Sequence, residues 1–203
     1  MSWSDSFYAQ FRRPTGLLGS MVGHLMALKN GRRSRWVIER LGIRQGSRVL
    51  EVGSGPGADA ARVLDMLGAA GAYLGVDVSE VMVRQANARN RAAVADGRAL
   101  FLHRDVADGL PLEGETIDFA FSINCAQFWP DLGRGLHELE RVLKPGGRAV
   151  VAVQPMRRGA TEQDSEAWAS RLADAAAQTG LTVVEVARGA TSVTTVALVA
   201  VKP

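Results

Sequence analysis

Residues 48–57 read Arg-Val-Leu-Glu-Val-Gly-Ser-Gly-Pro-Gly, an apolar run followed by three glycines at alternate positions. The run 48–52 predicts a buried strand, and the glycines predict a tight turn behind it. Apolar residues at helical spacing follow over 58–67. A glycine turn between a strand and a helix lets the backbone approach a ligand closely and aims the helix N-terminus at that ligand. This stretch therefore predicts an α/β fold with a binding site in its first loop.

The alternation of strand and helix patterns continues to the C-terminus. Further strands are predicted at 73–77, 99–103, 117–123, 148–153, 181–187 and 193–201, and further helices at 80–95, 136–143 and 165–179. Strands that alternate with helices form parallel sheets with right-handed crossovers. The last two strands have no helix between them and predict a hairpin. We expect a doubly wound, seven-stranded, mostly parallel sheet with the last strand antiparallel, and a ligand at the carboxyl ends of its strands.

The residues before the first strand form a segment of their own. Apolar residues recur at helical spacing over 18–28 and again over 34–41. These helices either pack on the sheet or form a lid that closes over the ligand, and both can hold together. We therefore divide the chain into an N-terminal helical lid over 1–45 and a ligand-binding domain over 46–203, which form one structural unit.

The composition is that of one soluble globular domain. The 203 residues are 47% hydrophobic and 22% charged, which argues against a disordered or fibrous chain. Cys125 is the one cysteine, so the chain cannot form an internal disulfide. The N-terminus lacks a basic start followed by an apolar stretch, and the apolar run 196–201 is too short to cross a bilayer. We expect a cytoplasmic protein without a membrane span.

Positive charge is concentrated in the first 50 residues, which hold nine Lys or Arg against Asp5 and Glu39. A solvated helix face accounts for such a segment. An anionic substrate, nucleic acid or a membrane surface would also fit it.

An acid follows the second predicted strand and completes a ligand-binding pattern. Asp77 lies 20 residues after Gly57, and a carboxylate there can accept hydrogen bonds from ribose hydroxyls. A nicotinamide dinucleotide and S-adenosylmethionine both suit a glycine loop plus a ribose acid. Dinucleotide sites prefer Gly-x-Gly-x-x-Gly, whereas this loop has glycines at 53, 55 and 57. Glu51 would repel a pyrophosphate but attract an ammonium or sulfonium group, so the sequence favours S-adenosylmethionine.

Several stretches, in order, resemble the class I S-adenosylmethionine-dependent methyltransferases. The loop over 51–57 resembles their motif I, and Asp77 resembles their ribose-binding acid. Residues 103–106 resemble the motif after the third strand, 117–124 resemble motif IV, and 141–147, Arg-Val-Leu-Lys-Pro-Gly-Gly, are typical of the small-molecule branch related to the quinone-biosynthesis C-methyltransferases. The resemblance covers roughly residues 35–155 and implies a Rossmann-like methyltransferase fold.

The resemblance also implies which residues contact the cofactor and the acceptor. The implied cofactor contacts are Glu51, Gly53, Ser54, Gly55 and Gly57 at the methionine part, Asp77 at the ribose, Val78 and Met82 at the adenine or ribose face, Asp105 and Val106 at the adenine edge, and Asn124 near the reacting methyl group. Gln127 would lie near the same methyl group. Trp129 either covers the end of the sheet or forms a wall of the acceptor pocket.

The residues after the fourth strand differ from those of two kinds of methyltransferase, which narrows the range of expected acceptors and cofactors. Asn124 is followed by Cys-Ala-Gln rather than the Pro-Pro-aromatic run of amino-methylating nucleic-acid enzymes. No acid follows the fourth strand where metal-dependent catechol enzymes carry one, so we expect no metal. Nothing else of the 5-methylcytosine motif accompanies Cys125, which we interpret as a core residue.

No catalytic base can be assigned from the sequence. His24 and Tyr8 in the N-terminal segment are candidates for one, while His103 and His137 are expected to be structural or on the surface. The short segment 155–165 leaves room for a small acceptor. Arginines at 12, 13, 157 and 158 would favour an anionic one.

The expected function is transfer of a methyl group from S-adenosylmethionine to a small-molecule acceptor by in-line displacement, with S-adenosylhomocysteine as product. Two alternatives remain: an RNA- or protein-directed methyltransferase, and a module that binds the adenosyl ligand without catalysis. Nucleic acid is the less expected substrate.

Overall fold

A computed structural model of the protein describes residues 31–156, 159–189 and 193–203. They form one seven-stranded sheet in the order β3-β2-β1-β4-β5-β7-β6. The strands are β1 (Arg48–Val52), β2 (Ala72–Asp77), β3 (Ala99–His103), β4 (Ile117–Ile123), β5 (Leu143–Val153), β6 (Thr182–Gly189) and β7 (Thr195–Val201). The helices are α1 (Gly31–Glu39), α2 (Ala60–Leu67), α3 (Glu80–Arg89), α4 (Arg91–Ala95), α5 (Leu132–Val142) and α6 (Glu162–Ala176).

The strand directions confirm the predicted sheet. β1 pairs in parallel with β2 and β4, β2 with β3, and β4 with β5. β7 runs antiparallel between β5 and β6. The strand order reverses at β1 and β4, so the loops that follow these strands open a crevice at the carboxyl edge of the sheet.

Helices cover both faces of the sheet and create two apolar cores. On one face, Val37 and Ile38 of α1 pack with Val63 of α2 over Phe119 and Phe121 of β4. On the other face, α5 and α6 pack over β4, β5 and β7 through residues such as Leu139 and Leu172, which are fully buried. This arrangement fixes the position of every loop at the carboxyl edge.

The helix predicted over 80–95 is interrupted in the structure. α3 ends and α4 begins at Asn90, whose φ of −107° and ψ of 26° are not helical. The buried Asn90 amide donates hydrogen bonds to the carbonyls of Gly57 (3.0 Å) and Ala86 (2.9 Å). The break therefore points Asn90 at the glycine loop.

The helix predicted over 136–143 begins earlier than expected, at Leu132. Asp131 caps it, because its side chain accepts a hydrogen bond from the Arg134 amide at 3.0 Å. The helix ends at Val142, and the Pro-Gly-Gly stretch over 145–147 lies in β5, where the register with β4 is irregular.

Of the predicted lid over 1–45, the described part shows α1 packed on the sheet. Residues 1–30 lie outside the described residues, so closure over a ligand stays a prediction. Within the described ranges, no helix is both long enough and apolar enough to span a bilayer.

Candidate functional site

The three loop glycines all have positive φ, of 80°, 51° and 69° at Gly53, Gly55 and Gly57. A Cβ on Gly53 would collide with the Cys125 side chain, and one on Gly57 would lie 2.6 Å from the Asn90 amide nitrogen. A Cβ on Gly55 would meet no atom of the described residues within 4 Å. Gly53 and Gly57 are thus required by packing, whereas Gly55 faces open space that a ligand can enter.

Asp77 joins the end of β2 to the glycine loop. One carboxylate oxygen accepts a hydrogen bond from the Gly55 amide at 2.8 Å, and the other accepts one from the Ser79 amide at 2.8 Å. Burial raises the pKa of Asp77, and these two amide hydrogen bonds oppose the rise. Each carboxylate oxygen can accept a second hydrogen bond, so a vicinal diol can bind beside the loop.

Glu51 lies at the end of β1, with 3% of its surface exposed. The Tyr73 hydroxyl on the neighbouring strand donates a hydrogen bond to its carboxylate. Burial raises the pKa of Glu51 well above its usual value, the carboxylates of Asp59 and Asp77 add to the rise, and the Tyr73 hydrogen bond opposes it. A cationic group placed nearby would relieve this unfavourable charge, as the ammonium of a methionine moiety would.

The loops after β2 and β3 meet on the outer side of this crevice. The His103 ring nitrogen Nε2 lies 3.0 Å from the Val78 carbonyl oxygen, and Asp105 accepts a hydrogen bond from the Ala107 amide at 2.9 Å. Val106 is 3% exposed and Met82 is 2% exposed, so both give the loops an apolar floor. The structure thus brings the residues predicted for the adenine side close to Asp77.

Asn124 follows β4 and is held by β5. Its φ is 55°, its amide donates to the Ala152 carbonyl, and its side-chain oxygen accepts from the Gln154 amide, both at 2.8 Å. The side-chain oxygen therefore orders the loop. Gln127 Nε2 donates weakly to the Asn124 carbonyl at 3.4 Å.

Two neighbours of Asn124 are packed within the fold. Cys125 is half-buried and lies against Gly53, and this burial together with the charge of Asp77 raises the pKa of its thiol to about 12. Trp129 packs under α5, where a Cβ on Gly135 would collide with its ring. The prediction that Trp129 covers the end of the sheet or forms a wall of the acceptor pocket stays open at this residue.

A cleft of about 370 Å³ opens beside this loop. It lies between Gln127 and Phe128 after β4, Pro155 and Met156 after β5, and one side of α6. Gln127 thus lines a cleft, and its contact with an acceptor stays a prediction.

Sequence reasoning missed several residues that shape the site. Asn90 clamps Gly57, and Arg89 donates to the Pro56 carbonyl at 3.1 Å. Of the missed residues, only Tyr73 could have been suspected from the sequence, because a tyrosine in a buried strand needs a hydrogen-bond partner for its hydroxyl. The Ser34 hydroxyl forms a hydrogen bond with Asp59, which ties α1 to the start of α2.

Some predicted residues lie outside the described part of the chain: Tyr8, His24 and the arginines at 12, 13, 157 and 158. His137 is exposed and lies 3.4 Å from the Glu140 carboxylate. Among the residues that the structure describes, no group of three or more His, Cys, Asp or Glu could hold a metal ion.

The side chains and the open space at the crevice fit an adenosyl amino acid. Asp77 can bind the ribose diol, Gly55 leaves space for the ligand, and Glu51 offers a buried acid to an ammonium group. The protein-family model described as a methyltransferase domain matches residues 49–147 of this chain.

Named relatives agree with this match. The chain is 30% identical over 152 residues to the uncharacterized methyltransferase YdaC of Bacillus subtilis, covering 75% of this chain and 81% of that one. It is 33% identical over 135 residues to a malonyl-[acyl-carrier protein] O-methyltransferase of Pseudescherichia vulneris, covering 65% of this chain and 48% of that one. The chain therefore spans most of YdaC but less than half of the second relative.

Solved structures share the fold. A SAM-dependent methyltransferase from Aquifex aeolicus matches with a TM-score of 0.68 and 23% identity, covering 84% of this chain and 89% of that one. Geranyl diphosphate C-methyltransferase from Streptomyces coelicolor, solved with S-adenosyl-L-homocysteine, matches with a TM-score of 0.69 and 15% identity, covering 85% of this chain and 76% of that one. The glycine loop, the ribose acid and these relationships together show that the chain belongs to the S-adenosylmethionine-dependent methyltransferases and uses S-adenosylmethionine as its cofactor.

Proposed function

We propose that this protein transfers the methyl group of S-adenosylmethionine to a small-molecule acceptor by in-line displacement. The observation that carries the proposal is the cleft lined by Gln127, two residues after the Cys125 side chain that packs on Gly53. Its volume of about 370 Å³ lies in the range of small-molecule pockets, about 300–1,000 Å³. A cleft of this size can take a small molecule whole, whereas a macromolecule could place only a single side chain or base in it.

Cys125 and Gln127 connect the glycine loop to this cleft. Cys125 packs against Gly53, and Gln127 lies two residues further along the same loop. An acceptor in the cleft would therefore approach the cofactor from the β4 side, while Asp77 holds the ribose from the β2 side. This opposed placement suits a displacement in which the nucleophile and the leaving sulfur lie on a line.

The cofactor supplies an activated methyl group on a positively charged sulfur. The chain's own residues bind and orient the cofactor. Asp77 holds the ribose diol, and Glu51, fixed by Tyr73, lies where it can attract the ammonium group of the methionine part. The apolar floor formed by Met82 and Val106 excludes water from the adenine side. His24 and Tyr8 remain the predicted candidates for a general base where the acceptor needs one.

Cys125 does not fit the role of a methyl carrier. Only the thiolate is an effective nucleophile, and a pKa raised to about 12 leaves almost none at neutral pH. We therefore propose a single direct displacement. A cofactor carrying a chiral methyl group tests this: one displacement inverts the configuration at carbon, whereas passage through Cys125 would retain it.

Labelled methyl transfer tests the acceptor class. The protein is incubated with methyl-labelled S-adenosylmethionine and a cell extract, which is then separated into small molecules, RNA and protein. We expect label in the small-molecule fraction, and none when Asp77→Ala replaces the wild type. Label confined to RNA or protein would overturn the proposal in favour of a macromolecular substrate. Absence of label from all three fractions, with cofactor binding intact, would favour a binding module.

A further inference from the structure

One face of α6 forms a continuous wall of the cleft. Asp164, Ala167, Trp168 and Arg171 all line it, and their spacing of three and four residues places them on one side of the helix. α6 begins at the carboxyl edge of the sheet, because it follows β5. Asp164 therefore lies toward the carboxyl edge of the sheet, and Arg171 lies about 10 Å further along the helix axis, away from that edge.

The two charged residues of this wall differ in what they can offer a ligand. The Asp164 carboxylate accepts hydrogen bonds from the Thr161 amide at 2.8 Å and the Thr161 hydroxyl at 2.9 Å, so it caps the helix. The Arg171 guanidinium stacks on the Trp168 ring at 4.0 Å. In the described part of the chain, no carboxylate forms an ion pair with Arg171. Arg171 is exposed to solvent.

Stacking on an indole prepares a guanidinium to bind an anion. The planar group is held in one orientation, so its N–H donors lose less freedom when they bind a carboxylate or phosphate. Between Arg171 and Gln127 the walls are mainly apolar, formed by Phe128, Met156 and Trp168. The cleft thus has an apolar middle, a cation at its far end and a polar amide at the cofactor end.

We infer that the acceptor carries a flat apolar body with an anionic group, which binds Arg171 on Trp168, and presents its nucleophile at the opposite end beside Gln127. This inference rests on the proposed function. It adds the substrate class: Arg171 lies about 10 Å beyond Asp164 along α6, away from the carboxyl edge of the sheet, so the anion and the nucleophile of the acceptor must be well separated. Arg171 would repel an acceptor that carries a positive charge at the end remote from its nucleophile.

Direct binding of small probes tests the inference without knowledge of the natural acceptor. The probes are 2-naphthoate, 2-naphthyl phosphate and the neutral 2-naphthamide, each titrated calorimetrically into wild-type protein saturated with S-adenosylhomocysteine. The variants are Arg171→Glu, Trp168→Phe and, as matched control, Arg91→Glu. Arg91 is an exposed arginine on α4, remote from the cleft, for which no ion pair within the described residues is found.

We expect at least one anionic probe to bind at least tenfold more tightly than the amide. Arg171→Glu should weaken that probe at least tenfold, Trp168→Phe should weaken it less, and Arg91→Glu should leave it unchanged. Carboxylate and phosphate are distinguished by which anionic probe binds better. Equal binding of the amide, or equal binding to wild type and Arg171→Glu, would overturn the inference.

The same samples separate this inference from the proposed function. S-Adenosylhomocysteine affinity is measured first on every variant, and labelled methyl transfer into the small-molecule fraction is measured in parallel. If no probe binds while small molecules are still methylated, the acceptor class is wrong and the proposed function stands. If small molecules are not methylated at all, the proposed function itself fails.

Discussion

Gly55 and Gly57 offer the sharpest test of how the glycine loop works, because the same substitution has different consequences at the two positions. Both residues have positive φ, so alanine is strained at each. At Gly57 the added Cβ would also lie 2.6 Å from the Asn90 amide nitrogen and 2.9 Å from the Ala86 Cα. At Gly55 it would meet none of the described atoms within 4 Å.

These distances set the expected free energies. A non-glycine residue in the left-handed region costs about 1–2 kcal/mol. Forcing extra volume against the α3 backbone adds about 1–3 kcal/mol. We therefore expect Gly57→Ala to lower the free energy of unfolding by about 2–5 kcal/mol and Gly55→Ala by about 1–2 kcal/mol. Cofactor binding should follow the opposite order, because the Cβ on Gly55 enters the space assigned to the ligand.

Urea unfolding and calorimetric titration with S-adenosylhomocysteine measure the two effects separately. Gly97→Ala is the matched control, since Gly97 has a φ of 70°, no described atom within 4 Å of an added Cβ, and a position before β3 at the other edge of the sheet. Gly55→Ala and Gly97→Ala should have similar stabilities, but only Gly55→Ala should bind S-adenosylhomocysteine at least tenfold more weakly, about 1.4 kcal/mol.

Two results would refute this reasoning. If Gly55→Ala bound S-adenosylhomocysteine as tightly as Gly97→Ala, the open space at Gly55 would not be the cofactor site. If Gly57→Ala were no less stable than Gly55→Ala, the contact between the loop and α3 would not require a glycine.

Three further predictions concern polar groups that are buried or half-buried. Asn90→Ala should lower the free energy of unfolding by about 1–3 kcal/mol, because it leaves the Gly57 carbonyl without its buried donor; urea unfolding of the variant against wild type checks this. Burial raises the pKa of Glu51, so the native state keeps a proton that the unfolded chain releases as pH rises above the usual value of 4.5, and stability falls over that window. Glu51→Gln should therefore gain stability relative to wild type as the pH rises above the usual carboxyl pKa of 4.5, as seen in thermal unfolding, while binding the cofactor more weakly. A stability difference that does not change with pH would contradict the assignment. The Cys125 thiol, with its pKa raised to about 12, should resist iodoacetamide at pH 8 until urea unfolds the protein, which mass spectrometry can follow; rapid labelling of the native protein would show that the thiol is accessible and ionised.

The sheet and the position of the site follow from local patterns. Each strand is a short apolar run, and the crossovers between parallel strands carry helical patterns except the one from β3 to β4, so the order of elements could be predicted without tertiary information. The glycine loop and Asp77 could be placed together because the carboxyl ends of β1 and β2 lie at one edge. The structure adds the hydrogen bond between Asp77 and the Gly55 amide.

Other features depend on contacts between distant parts of the chain. The break at Asn90 arises because its amide reaches Gly57, 33 residues earlier, which no local pattern reveals. The early start of α5 has a local signal, the Asp131 cap, but glycines at 133 and 135 weaken the helical pattern. The pairing of Tyr73 with Glu51 requires the register of β1 against β2, which places both side chains on one face.

A crystal structure with S-adenosylhomocysteine tests the central claim most directly. We predict both ribose hydroxyls on the Asp77 carboxylate, the homocysteine part over Gly55 with its ammonium toward Glu51, and the sulfur facing the cleft at Gln127. An adenosyl group bound elsewhere, or a sulfur turned away from the cleft, would contradict both the cofactor assignment of these residues and the proposed route of the acceptor.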